Sequence, residues 1–131
     1  MTSQKKFKLK LIDDDFGIVK MDPDRPVPAW AMESPFYSVT HTESELTIVC
    51  PEKGIPAHIE YDGSWKCIRV EGVFDFEAIG VIASLSGALS QSGISIYVVT
   101  SYITDYFLIK RKHIEKAIWA LEQQGHVFVK S

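Results

Sequence analysis

Apolar and polar residues alternate with a period of two through KFKLKL, residues 6–11. The pattern sets Lys6, Lys8 and Lys10 on one face and Phe7, Leu9 and Leu11 on the other, as in a half-buried strand. It breaks at Asp13-Asp14-Asp15 and resumes as FGIVKM, which predicts a hairpin with an acidic turn. Three consecutive carboxylates invite a metal, but they lack the DxDxDG spacing and the distant Glu of an EF-hand loop, and a solvated turn is the better reading. DPDRPVPA, residues 22–29, holds three of the six prolines and reads as a connector, because proline removes a backbone donor and fixes φ. WAMESPF has room for a helical turn. FYSVTHT and ELTIVC, joined through Glu43-Ser44, then predict a second hairpin. The first half therefore offers strands and little helix.

PEKGIPAHIEYDGS is a second connector. It leads into WKCIRVEG, a strand with Trp65, Cys67, Arg69 and Glu71 on one face and Lys66, Ile68 and Val70 on the other. Apolar residues on both faces predict a central position. From Ala78 to Gln91, Ile79, Ile82, Ala83, Leu85, Ser86 and Leu89 recur at three- and four-residue steps, an amphipathic helix that stops at Gly93. ISIYVVT and YFLIK are strands on either side of a loop over 101–105, and HIEKAIWALEQQ is a second helix, expected to bury Ile114, Ile118, Trp119 and Leu121 and to stop at Gly125. HVFVK closes the chain as a strand. The order is βαββαβ, in which two helices cover one face of an antiparallel four-stranded sheet, and the fold class is α+β, ferredoxin-like. The other face and at least one strand edge then need cover, for which the strand-rich first half is the candidate. The expected division is 1–62 and 63–131.

Composition narrows the function classes. The 131 residues are 46% apolar and 24% charged, which suits a packed globular chain. A net charge of -3 argues against a nucleic-acid partner, since phosphate recognition needs a concentrated basic face and the lysines of residues 5–10 read as a solvated strand face. No apolar run reaches the ~20 residues that span a bilayer, and no secretory core is visible, so a soluble cytoplasmic chain without a membrane partner is expected. Cys50 and Cys67 lack CxxC spacing and are expected as buried free thiols. His41, His58, His113 and His126 are scattered, with no HExxH, GxSxG, Walker or dinucleotide fingerprint. Ser84 and Ser86 lie inside a helical pattern, as packing residues. No catalytic residue, metal or cofactor is expected.

The stretch VEGVFDFEAIGVIASLSGALSQSGISIYVVTSYITDYFLIKRKHIEKAIWAL resembles an ACT domain, through the strand ending in Gly72, the helix entry Gly80-Val81-Ile82, the turn Ser92-Gly93-Ile94 and the TSYITDYFLI segment. Residues 5–60 resemble a shortened companion ACT unit that lacks the long first helix. The resemblance extends to small bacterial tandem-ACT proteins and, more distantly, to eukaryotic arginine-sensing proteins. It implies a regulatory module that binds a small amino acid between paired units, near the start of the first helix.

A free amino acid presents a carboxylate and an ammonium, which asks for oriented donors on one side and an acid on the other. The helix start near Gly80, Val81 and Ile82 supplies backbone N–H groups, and Asp105 supplies the acid, a role the arginine-sensing relatives imply for it. Asp105 has a second reading as a turn residue. Glu77 faces the ligand or complements the helix start. Phe74 and Tyr102 cover the ligand or belong to the core, and Ser101 and Thr104 donate hydroxyls or cap the turn. A different class of function remains open beside the sensor: an adaptor that forms a homodimer or docks on a partner enzyme, with a vestigial site.

Overall fold

The structure is a computed structural model and describes residues 6–71 and 80–130. Two compact units are present: one comprises Met1–Asp13 with Lys66–Ser131, the other Asp14–Trp65. Strand β1, Lys8–Met21, and strand β4, Asp62–Val70, each contribute residues to both.

The larger unit adds helix α1 (Val81–Gln91), strands β5 (Tyr97–Thr100) and β6 (Asp105–Lys110), helix α2 (Ile114–Gln123) and strand β7 (Val127–Phe128). Its strand order is β7-β1-β4-β6-β5, so β4 is central, as its two apolar faces predict. The α+β, ferredoxin-like arrangement is thus present, with one addition. The first residues of β1 stand between β4 and β7, and β7 pairs with β1 in parallel through Lys8↔Val127 and Leu9↔Phe128. Leu9, Ile68, Val70, Phe107 and Ile109 from the sheet bury against Val81, Leu85 and Leu89 of α1 and Ala117 and Leu121 of α2.

Leu85, Leu89 and Leu121 are buried as expected and Ile114 packs on the core, but each helix exposes part of its expected face. In α1 the buried positions are Val81, Leu85, Ala88 and Leu89, and Ile82 is exposed. The sequence VIASLSGALS carries apolar residues on two adjacent stripes, and periodicity alone does not choose between them. In α2 the buried residues are Ala117, Ala120 and Leu121, whereas Trp119 is 62% exposed. Small side chains at Ala88, Ala117 and Ala120 suit the close packing of α1 on α2. Each helix ends on a left-handed glycine: Gly93 at φ 74° and Gly125 at φ 93°. The Ile94 N–H donates to the Leu89 carbonyl at 3.0 Å and the His126 N–H to the Leu121 carbonyl at 3.2 Å, closing the last turns.

In the smaller unit β1 pairs antiparallel with β3 (Leu46–Pro51) from Phe16↔Pro51 to Met21↔Leu46, and β2 (Ser38–His41) pairs with the other edge of β3. Val19, Leu46, Ile48 and Cys50 pack with Ala31 of a short 3-10 turn, Ala29–Met32, that follows the proline connector. The hairpin of β2 and β3 closes where the Thr42 hydroxyl accepts the N–H groups of Ser44 and Glu45, both at 3.1 Å. The expected acidic turn is not a turn. Asp13, Asp14 and Asp15 lie inside β1, where the Lys66 ammonium donates to the Asp13 carbonyl at 2.8 Å and Lys53 pairs with Asp14 at 3.1 Å. These long-range cations offset the local repulsion that made the trio look like a break.

Leu89→Ala, in the middle of the helix-side core, should cost about 2–5 kcal/mol, and Trp119→Ala should stay within about 0.5 kcal/mol of the parent, both read from urea midpoints.

Candidate functional site

The candidate site is built at the end of β4. Val70 is its last residue, fully buried, and shares an apolar cluster with Val81, the first residue of α1, and with Phe107 of β6. The chain between, residues 72–79, carries Phe74 and Glu77, which lie outside the described residues.

Helix α1 starts from Gly80, whose φ of 88° is the left-handed conformation that favours glycine. Among the described residues a Cβ there would meet nothing within 4 Å, so the backbone conformation accounts for the glycine. Among the same residues no side chain caps the helix start. Ser84 N–H donates to the Gly80 carbonyl at 2.7 Å, which leaves the N–H groups of Val81, Ile82 and Ala83 without an intrahelical acceptor. Val81 points into the core and Ile82 outward.

The second element is the hairpin between β5 and β6. Thr100 pairs with Asp105, and residues 101–104 form the connection. The Ser101 hydroxyl donates to the Thr104 carbonyl at 2.8 Å and accepts the Thr104 N–H at 3.2 Å, while the Ser101 N–H donates to the same carbonyl at 2.9 Å. Thr104 is buried, and its hydroxyl donates to the Val70 carbonyl at 2.6 Å, tying the hairpin to the end of β4. Both hydroxyls are therefore engaged in holding the turn. Tyr102 and Ile103 stand at the tip, 81% and 54% exposed.

Asp105 is the buried charge of this region. It is 4% exposed, and strand alternation places it on the same face as Phe107 and Ile109, toward the helices. Among the described residues no hydrogen bond or ion pair engages its carboxylate. Glu71, just beyond β4, is occupied differently: its carboxylate lies 3.4 Å from Arg69 Nε, and the Arg69 guanidinium sits 5.9 Å from the centre of the Tyr106 ring. Tyr106 alternates with Asp105 and belongs to the opposite face.

The structure thus joins Ser101, Thr104 and Asp105 to the strand end that precedes Gly80, Val81 and Ile82, and sets Tyr102 outward. The tether from Thr104 to Val70 was not foreseen. Its sequence signal is a Ser and a Thr at the two ends of a four-residue connection, which reads equally well as a locally closed turn.

Other chemistry is sparse. Burial pushes the Cys50 thiol up to about 11 and the Cys67 thiol up to about 12, the latter slightly opposed by Lys66. Among the described residues no group of three or more His, Cys, Asp or Glu converges as a metal site, and no helix is long and apolar enough to cross a membrane. A thiol-specific disulfide reagent at pH 8 should label neither cysteine before unfolding, because thiolate is the reactive form. Thr104→Val should cost about 1–3 kcal/mol in urea unfolding, the penalty of leaving the Val70 carbonyl without its donor.

Comparison with known proteins agrees with this architecture. The family model described as the ACT domain matches residues 60–123, and a second family model, of an N-terminal domain, matches residues 14–58. No curated protein sequence matches. Among solved structures, a protein from Agobacterium tumefaciens is 33% identical over 98% of this chain and 96% of its own, with a TM-score of 0.91. A Vibrio cholerae protein of unknown function, a possible transport protein, is 19% identical over 91% of this chain and 90% of its own, with a TM-score of 0.75. The ligand-free regulatory subunit of aspartate kinase from Thermus thermophilus is 16% identical over 89% of this chain and 94% of its own, with a TM-score of 0.59, a likeness of fold. The chain belongs to the ACT-domain family.

Proposed function

We propose that this chain is a non-catalytic regulatory module that binds a small free amino acid at the end of β4, between the start of α1 and the hairpin that precedes β6. The observation that carries the reading is Asp105. A carboxylate buried on the helix-covered face, with no partner among the described residues, is costly to maintain unless something binds it. An α-ammonium is such a partner. The N–H groups of Val81, Ile82 and Ala83, at the positive end of the helix dipole, supply the matching donors for an α-carboxylate. Among the described residues nothing crowds Gly80, which suits the approach of a ligand to them. Phe74 and Glu77 belong to residues 72–79, outside the described residues, and Tyr102 is exposed at the tip of the hairpin. The regulatory role is supported by the fold shared with a regulatory subunit of aspartate kinase, and an output through a partner enzyme or a second copy of the chain fits a module of this size.

The exposed pair Tyr102 and Ile103 favours a second reading, in which the hairpin tip docks on another protein and the site is vestigial.

Calorimetric titration and thermal melts with each of the twenty amino acids decide between them. A ligand at a hundred times its dissociation constant should stabilise the fold by about 2.7 kcal/mol. Loss of a charge-assisted hydrogen bond of about 1.5–3 kcal/mol means that Asp105→Asn should weaken binding roughly ten- to hundredfold while the far-ultraviolet spectrum is kept. Absence of heat and of any melting shift for all twenty at millimolar concentration would refute the sensor.

A further inference from the structure

The start of β1 is held by an imidazole. In the parallel ladder between β1 and β7, the Val127 N–H donates to the Phe7 carbonyl at 3.0 Å and the Val129 N–H to the Leu9 carbonyl at 2.7 Å. The next rung is not a backbone pair: the Phe7 N–H donates to Nδ1 of His126 at 3.1 Å. His126 is 3% exposed and stacks on the Phe7 ring, with centroids 5.6 Å apart and planes at 21°. Because Nδ1 accepts, the ring proton resides on Nε2, which is buried and has no hydrogen-bond partner among the described residues.

The surroundings disfavour a second proton. Lys6 reaches over Gly125 to donate from its ammonium to the Gln124 carbonyl at 2.5 Å, and a Cβ on Gly125 would lie 2.8 Å from the Lys6 side chain. Lys6, from the segment before β1, is the charge that bears on the ring. Among the described residues neither α2, whose nearest acid in sequence is Glu122, nor β7, followed by Lys130, sets a carboxylate against the ring to receive a second N–H. Burial first, and Lys6 second, hold the imidazole below its ordinary proton affinity.

We propose that His126 is a proton-operated latch on the N-terminal strand: protonation converts Nδ1 from acceptor to donor, breaks its bond to the Phe7 N–H and releases the β1–β7 pairing. The sign follows from the chemistry. The neutral ring is the form that accepts, so the latch is closed at neutral pH. As pH falls below the ordinary histidine range the unfolded chain takes up a proton more readily than the folded one, and stability is lost on the way down. The effect reaches β4, because the Glu71 N–H donates to the Lys8 carbonyl at 2.8 Å, one residue beyond the latch.

Amide hydrogen exchange on the full chain, corrected for intrinsic rates, tests the latch. Between pH 7.5 and pH 5, protection of Phe7, Val127 and Val129 should fall at least tenfold while the amides of β5 and β6 hold theirs. Nitrogen chemical shifts should report the Nε2–H tautomer of His126 at the higher pH. In His126→Gln, which keeps an acceptor without a titrating proton, the pH dependence at Phe7 and Val127 should disappear. The latch is overturned if these amides keep step with β5 and β6 in the parent at both pH values, or if the Nδ1–H tautomer is found. A pH dependence that persists in His126→Gln overturns it as well. Should that variant not fold, the parent measurements decide alone.

Discussion

The larger unit turns on the end of β4. There one residue, Val70, has its side chain in the helix-side core and its carbonyl held by the Thr104 hydroxyl, and the following N–H, of Glu71, donates to the Lys8 carbonyl. Hairpin, central strand and N-terminal strand are thereby fixed to one another within two residues of chain. Apolar burial positions α1 over the sheet, but burial has no direction of its own. The hydrogen bonds at this strand end fix the hairpin and the N-terminal strand in direction against β4. A site made of a helix terminus and a strand-borne carboxylate needs that second kind of constraint, because its donors and acceptor come from segments far apart in sequence.

How much of this was legible in the sequence depends on the range of the interactions involved. Local signals carried well: Gly93 and Gly125 ended the helices where a left-handed residue was needed, and the polar link Glu43-Ser44 marked the hairpin of β2 and β3. The two apolar faces of β4 announced its central place. Where long-range contacts decide, local pattern misled. Asp13 to Asp15 looked like a turn because like charges repel in isolation, yet Lys53 and Lys66 hold them in a continuous strand. Trp119 looked like core because it is large and apolar, but the face of α2 that is buried carries Ala117, Ala120 and Leu121 instead.

The candidate site shows the same division. Gly80 and Asp105 can be picked out by residue type and position, and the tether that holds the hairpin before Asp105 to the end of β4 agrees with the element order. That Ser101 and Thr104 spend their hydroxyls on the turn and on Val70 does not follow, since a hydroxyl at a loop is equally suited to a ligand. The alternation through Phe7, Leu9 and Leu11 identifies a strand without naming its neighbours, so neither the parallel pairing with β7 nor the imidazole at its first rung could be read from it.

Polar groups buried at this end of the sheet fall into two kinds. Thr104 and the Val70 carbonyl satisfy each other, and a pair of that kind adds rigidity and nothing more. Asp105, whose carboxylate has no partner among the described residues, and His126, whose Nε2 is buried without one there, make up the second kind. Asp105 lies across β4 from the strand that His126 secures. On the readings proposed above, the Asp105 carboxylate takes a cation and Nδ1 of His126 takes a proton at the expense of its bond to the Phe7 N–H, so these are the groups through which the unit would respond to its surroundings. Domains are stable by only about 5–15 kcal/mol, so filling one such group would produce a measurable shift in the local equilibrium. Rigidity supplied by the satisfied pairs is what makes that shift local, since it confines the response to the strands that carry the unsatisfied ones.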